Sequence, residues 1–301
     1  MPLTEQKKYP KLAAALKISG DLYLKREDLH PFGSHKGRSI PLMIESYAKA
    51  GWTNFVISSS GNAALAAALA IKKYNLKHKT KPLTLKIFVG KKIDNNKLLS
   101  LRGSRVLWRR SNLVEIKQVA NPKQQAFLTE KSGLAKNLRQ STDESALIGY
   151  QNLARELAKI KNLSAIFIPT SSGTTAEGLF LGFKKIKLKP QIHIVQTNAC
   201  HPIVTALRPE LSMDNAKTSL ASAIVDKVAH RKETVVKIVK ASGGTGWIIN
   251  DKEIKEAIKL VKKYTGLNIS PNSALSLAGL KKAIQEGWKF KGAVVCLITG
   301  D

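Results

Sequence analysis

Four segments of this chain place small, hydroxylated or basic residues where a strand is expected to hand over to a helix, and each could do chemistry. Leu24-Lys25-Arg26-Glu27-Asp28 runs on through Gly33-Ser34-His35-Lys36-Gly37-Arg38. Lys36 follows a small-residue turn and is expected to enter a helix, where the positive end of the dipole and Arg38 favour its neutral amine. A neutral lysine is the form that condenses with an aldehyde. Ser58-Ser59-Ser60-Gly61-Asn62 precedes an alanine-rich helix. Free backbone N–H groups at a helix start, with hydroxyls beside them, suit a carboxylate or phosphate; a serine N-cap followed by a tight turn is the alternative. Thr170-Ser171-Ser172-Gly173-Thr174-Thr175 follows the apolar run Ala165–Pro169, and its small residues let the backbone N–H groups converge on one oxyanion. No Gly-Lys-Ser/Thr closes this loop and no G-x-G-x-x-G occurs, so a Walker nucleotide site is excluded. A cofactor phosphate held by amides without Mg²⁺ is one reading of this loop, and an ordinary polar loop is the other. Thr299, after the run Ala293–Ile298, is placed to touch a ring nitrogen.

The elements that must position these residues follow from periodicity. Strands are expected at Leu22–Lys25, Asn54–Ser58, Thr84–Val89, Arg105–Trp108, Ala165–Pro169, Gln191–Gln196, Trp247–Ile249 and Ala293–Ile298. Helices are expected at Lys36–Ala50, Ala63–Tyr74, Asp143–Ile160, Thr175–Ile186, Asp251–Tyr264 and Ser273–Gln285. Ile254, Ala257, Ile258 and Val261 share one helix face, and Asn250 with Glu253 reads as a capping box ahead of the stop at Gly266. Strand–helix alternation predicts an α/β fold with parallel-rich twisted sheets flanked by helices, and chemistry at the carboxyl ends of the strands. The stretch from Trp108 to Ser141, rich in Gln, Lys and Asn, breaks the pattern and reads as a connector between two lobes.

Composition bounds the rest. The chain has 301 residues, 43% of them hydrophobic, which suits a soluble globular protein of about two domains. Fifty Lys and Arg against 21 Asp and Glu give a net charge of +29. The lysines are spread over helix faces such as Lys252–Lys263, as solvated faces are; Arg102, Arg105, Arg109 and Arg110 around Trp108 form one denser run. Without a zinc-finger spacing, an RNP motif or a basic zipper, nucleic acid is not an expected partner. Cys200 and Cys296 are far apart and form no C-x-x-C, and no metal-ligand spacing is present. No secretory leader and no apolar run of membrane-spanning length is seen, so a cytoplasmic soluble protein is the expectation.

Taken together and in this order, the four segments resemble the pyridoxal-phosphate enzymes of fold type II, the tryptophan synthase β-like family. Leu24–Asp28 with Gly33–Lys36 looks like that family's signature around its Schiff-base lysine. Ser59-Ser60-Gly61-Asn62 looks like its substrate-carboxylate loop, whose Asn contacts the cofactor's phenolic oxygen. Ser171, Ser172, Gly173, Thr174 and Thr175 match its phosphate loop. Pro271–Leu275 through Gly279 resembles its late helix start, and Thr299 aligns with the residue at the pyridine nitrogen. The resemblance covers nearly the whole chain. Ser171 and Thr174 stand where the family usually has glycines, and Gly37 replaces a residue that is often Asp or Leu.

The resemblance implies pyridoxal 5'-phosphate bound covalently by Lys36. It implies a cofactor-binding set of Lys36, His35, Asn62, Ser171–Thr175 and Thr299, and substrate contacts from Ser59, Ser60, Gly61 and Asn62. His35 has two readings, near the phosphate or packed away from it. A larger cofactor-binding lobe of residues 1–40 plus 142–301 and a smaller mobile lobe of 41–141 are expected. Freed Lys36 would take the α-proton, and a neutral Thr299 would favour elimination and replacement over transamination. Within the family the chain looks most like threonine synthases, which act on phosphohomoserine. Serine/threonine dehydratases are the next reading and a β-replacement enzyme of the cysteine synthase kind the third. The partner expected is a small amino-acid substrate, with a homodimer as the candidate assembly. A basic, non-catalytic protein that meets nucleic acid is the alternative of a different class.

Overall fold

β-Branched runs bounded by turn residues become short parallel strands, and the longer amphipathic stretches between them become the helices that cover those strands. The computed structural model describes residues 3–91, 93, 113–211 and 216–300. Two compact units result, one formed by Met1–His30 with Leu147–Asp301 and the other by Pro31–Ala146. Lys36 therefore groups with the helices and strands of the second unit.

In chain order, the first unit opens with β1 (Gln6–Lys8), α1 (Pro10–Ala15) and β2 (Leu22–Arg26). The second unit contributes α2 (Ile40–Lys49), β3 (Asn54–Ser58), α3 (Asn62–Lys77), β4 (Thr84–Gly90), β5 (Val114–Val119), α4 (Pro122–Lys131) and β6 (Lys136–Asn137). The chain then returns to the first unit with α5 (Leu147–Leu157), β7 (Leu163–Pro169), α6 (Thr174–Lys185), β8 (Gln191–Thr197), α7 (Pro202–Leu207), α8 (Lys232–Ser242), β9 (Gly246–Ile249), α9 (Asp251–Thr265), α10 (Pro271–Gln285) and β10 (Ala293–Ile298).

The first unit is built on a six-stranded sheet in the order β1-β2-β10-β7-β8-β9, parallel except for β1. Its strands other than the edge strand β1 are largely buried on both faces, and alternate residues part company as a pleated strand requires. Ala165 and Phe167 join Val294, Cys296 and Ile298 in a core under α1, α9 and α10. Ile166 and Ile168 join Val295 and Leu297 in a second core under α5, α6, α7 and α8. The second unit is built on a parallel sheet in the order β5-β4-β3-β6. Ile40, Met43 and Ile44 of α2 and the alanines of α3 pack on its strands. No helix among the described residues is long and apolar enough to cross a membrane.

Three expectations change. The connector expected from Trp108 to Ser141 contains β5, α4 and β6, which belong to the second unit's sheet. β5 is an edge strand reading Val-Glu-Ile-Lys-Gln-Val, and α4 buries only Ala126, so neither carries the apolar periodicity that would betray it. The helix expected at Lys36–Ala50 is a 3₁₀ turn over His35–Arg38 followed by α2 from Ile40, because Pro41 sits best in a first turn. The helix expected at Asp143–Ile160 is likewise split, a 3₁₀ turn at Glu144–Ala146 preceding α5. The strand expected at Arg105–Trp108, the arginine run beside it and Asp301 lie outside the described residues.

His193, in mid β8, makes the first unit acid-sensitive. It is fully buried, stacked on Phe167 with ring centroids 4.4 Å apart, and edge-on to Trp288 and Phe290. Trp247 Nε1–H donates to its Nδ1 at 3.2 Å and Gln191 Oε1 lies 3.3 Å from its Nε2, so the hydrogen-bond network assigns the neutral Nε2–H tautomer. Burial lowers its pKa to about 3. The unfolded chain takes up this proton below about pH 6.5 and the native chain does not, so stability falls as pH drops from about 6.5 towards 3. Between pH 7.5 and 4.5 the native chain is expected to lose about 2–3 kcal/mol more than a His193→Phe variant loses. Urea unfolding of both chains at the two pH values checks this; equal losses would contradict it.

Candidate active site

In the second unit the lysine turn is fixed before its chemistry begins. Gly33 has φ +83°, and a Cβ there would lie 2.9 Å from Cδ2 of Leu65 on α3, so the chain passes α3 at a distance and in a conformation that favour glycine. Ser34 is fully buried, and its Oγ accepts the Lys36 N–H at 3.3 Å, capping the 3₁₀ turn. That turn packs against both α2 and α3. Gly37 and Arg38 are buried in it, while His35 and Lys36 are half-buried. The helix dipole of α2 begins beyond Lys36, at Ile40, which removes the positioning that a single continuous helix would have given. His35, Lys36 and Arg38 share one turn.

The Ser58–Asn62 segment lies at the carboxyl end of β3 and leads directly into α3. The N-cap of α3 is Gly61, with no side-chain cap, so the serines are not used as helix caps. Ser59 Oγ accepts the Gly61 N–H at 3.3 Å, which tightens the turn. Ser59, Ser60 and Asn62 are half-buried and Gly61 is exposed. A helix start of this kind, with uncapped amides, suits a carboxylate. The same unit holds a cavity of about 280 Å³ lined by Tyr47, Lys136, Asn137, Arg139 and Asp143 among others; none of the residues expected from sequence lines it. Burial, and then the hydrogen bond to Asp143, raise the Tyr47 pKa.

In the first unit the loop after β7 is held on every side. Gly173 is the N-cap of α6 at φ +89°, and a Cβ on it would lie 2.5 Å from Cγ2 of Val235 on α8. α6 has no side-chain cap, and its first turn contains the buried Thr174 and Thr175. Ser172 and Thr174 hydroxyls are 2.9 Å apart. Ser171 Oγ accepts the N–H groups of Val225 and Asp226, each at 3.2 Å, and so anchors the 225–226 segment to the loop. The buried pair Glu177–Arg231, at 2.8 Å, ties the first turn of α6 to the start of α8. Sequence reasoning missed Val235 and Arg231; the signal available was the apolar spacing Val235, Ile238, Val239, which marks α8.

Thr299 follows β10, the strand next to β7 in the sheet, so it and the Ser171–Thr175 loop emerge at the same edge. It is 3% exposed. The peptide after it is clamped by the start of α10: Ser270 Oγ donates to the Gly300 carbonyl at 2.7 Å, and Ser273 Oγ accepts the Gly300 N–H at 3.1 Å. Asn272 Oδ1 accepts the Ala223 N–H at 3.0 Å, tying the same helix start to the segment that Ser171 holds. The structure thus brings Thr299 and the 171–175 loop to one sheet edge in the first unit. It brings the Lys36 turn against the helix that opens at Asn62 in the second.

Comparison with known proteins agrees over the whole length. Residues 3–300 match the family described as pyridoxal-phosphate dependent enzyme. The chain is 25% identical over 293 residues to the threonine synthase of Methanosarcina acetivorans, covering 93% of this chain and 69% of that protein. Threonine deaminase isoform 2 of Solanum lycopersicum superposes with a TM-score of 0.78 at 20% identity, covering 99% of this chain and 79% of that one. Maize serine racemase superposes with a TM-score of 0.80 at 15% identity, covering 99% and 88%. At these identities the two structures speak to the fold alone.

Proposed function

Because the chain belongs to the family of pyridoxal-phosphate-dependent enzymes, we propose that it is a threonine synthase-like lyase that converts phosphohomoserine and water to threonine and phosphate. The observation that carries this reading is the likeness to a threonine synthase across 93% of the chain. The residues present fit the cofactor: the left-handed Gly173 lets the backbone curl at an uncapped helix start, and Val235 closes the space a side chain there would take.

When bound, pyridoxal phosphate supplies an aldehyde that captures amines and a ring that spreads negative charge from the substrate Cα. In this reading the N–H groups of Ser171–Thr175 and the Thr174 and Thr175 hydroxyls hold the phosphate. The Ser171 hydroxyl also shapes the loop by accepting from Val225 and Asp226. Lys36 holds the cofactor through its ε-amine and, once displaced by substrate, takes the Cα proton. Ser59, Ser60, Gly61 and Asn62 hold the substrate carboxylate, which aligns the Cα–H bond. Thr299, a neutral hydroxyl, leaves the ring nitrogen uncharged, which favours loss of a side-chain leaving group over amino-group transfer.

Feeding the purified protein O-phosphohomoserine, threonine, serine and O-acetylserine in parallel tests the reading. Phosphate release with threonine as product is expected. Keto acid from threonine or serine would replace it with the dehydratase reading, sulfide-dependent consumption of O-acetylserine with the cysteine synthase reading, and D-amino acid with a racemase.

A further inference from the structure

Gln196 is the penultimate residue of β8, carries no motif and is fully buried. A buried amide must satisfy both its donor and its acceptor, so its partners report what it organises. Its Nε2 donates to the carbonyl of Thr170 at 3.2 Å. Its Oε1 accepts the N–H groups of Ile203 at 2.9 Å and Val204 at 3.0 Å. These are first-turn amides of α7, whose own N-cap residue His201 makes no side-chain cap. One side chain therefore spans from the start of α7 to the residue at which β7 becomes the 171–175 loop.

Thr170 is where the direction of that loop is set. Its N–H donates to Val195 O at 2.9 Å and its hydroxyl to Ile168 O at 2.8 Å. With Gln196 on its carbonyl, every polar group of Thr170 is fixed, including the peptide plane shared with Ser171. The orientation of that plane decides where the following amides point.

We infer that Gln196 is a positioning residue for the cofactor phosphate: through the Thr170 carbonyl it aims the amides of the 171–175 loop. This rests on the assignment of that loop to the phosphate. Gln196→Glu is the conservative variant: at this buried site desolvation and the facing Thr170 carbonyl hold the carboxyl protonated, so it keeps both halves of the role, accepting from Ile203 and Val204 and donating its O–H to Thr170. Gln196→Met, of similar size, removes both halves.

The test is titration of the full chain, stripped of cofactor, with pyridoxal phosphate and separately with pyridoxal, which lacks the phosphate, together with thermal unfolding of the same preparations. For Gln196→Met the preference for pyridoxal phosphate over pyridoxal is expected to fall about tenfold, the worth of one well-placed buried hydrogen bond. Its pyridoxal affinity should stay near the native value although it melts earlier. Gln196→Glu should keep the native preference. In Gln196→Met, equal weakening of both ligands, or no change in their ratio, would overturn the inference by reducing Gln196 to a packing role. If the native chain itself showed no preference for the phosphorylated ligand, the assignment of the loop would fail first.

Discussion

Lys36→Ala is expected to lower turnover by about 10³-fold or more, since it removes both the covalent anchor and the general base, and a base alone contributes roughly 10²–10⁴-fold. The fold should survive. The turn that carries Lys36 is held by the Ser34 cap, by the buried Gly37 and Arg38, and by packing on α2 and α3. The Lys36 side chain is itself only half-buried. The melting temperature of the variant should therefore lie within about 1 °C of the native value, a change of under about 1 kcal/mol. Steady-state turnover on the preferred substrate, with melting of the same samples, checks both halves. Turnover near the native rate would defeat the assignment of position 36.

Gly173→Ala should give the second largest effect, by a different route. A β-carbon at φ +89° costs roughly 1–2 kcal/mol in backbone conformation. At 2.5 Å from Cγ2 of Val235 it must also displace α8 or the loop, and overpacking of this kind costs roughly 1–3 kcal/mol. The two together predict a loss of about 2–5 kcal/mol in chemical unfolding. They also predict a pyridoxal phosphate affinity at least about tenfold weaker, because the loop that moves is the one that grips the phosphate. Adding Val235→Ala should relieve the collision but not the strained φ, so the double variant should recover part of the stability. A Gly173→Ala chain as stable and as tight-binding as the native one would show that the loop is not held as described.

What the sequence revealed and what it concealed divide along physical lines. Asn54–Ser58 and Ala293–Ile298 were legible to the residue because continuous apolar, β-branched runs bounded by turn residues have few other uses. The capping box of Asn250 and Glu253 is present with both reciprocal hydrogen bonds, because it is a local device written in two residues of one turn. β5 and α4 were illegible because an edge strand and a solvated helix need little apolar surface. The division of labour inside the phosphate loop was hidden for another reason. Ser171 and Ser172 look alike in sequence, yet only the former accepts amides from a segment more than fifty residues away. Gln196 is the same lesson in a strand, since its partners at Thr170, Ile203 and Val204 are set by tertiary register and not by neighbours in the chain.

The most direct test of the central claim is covalent. The holoenzyme is reduced with borohydride, digested, and its peptides examined by mass spectrometry for a pyridoxyl-lysine. The account predicts that the modification falls on Lys36 and on no other lysine in stoichiometric amount. Stoichiometric labelling of a different lysine, or none under saturating pyridoxal phosphate, would contradict it.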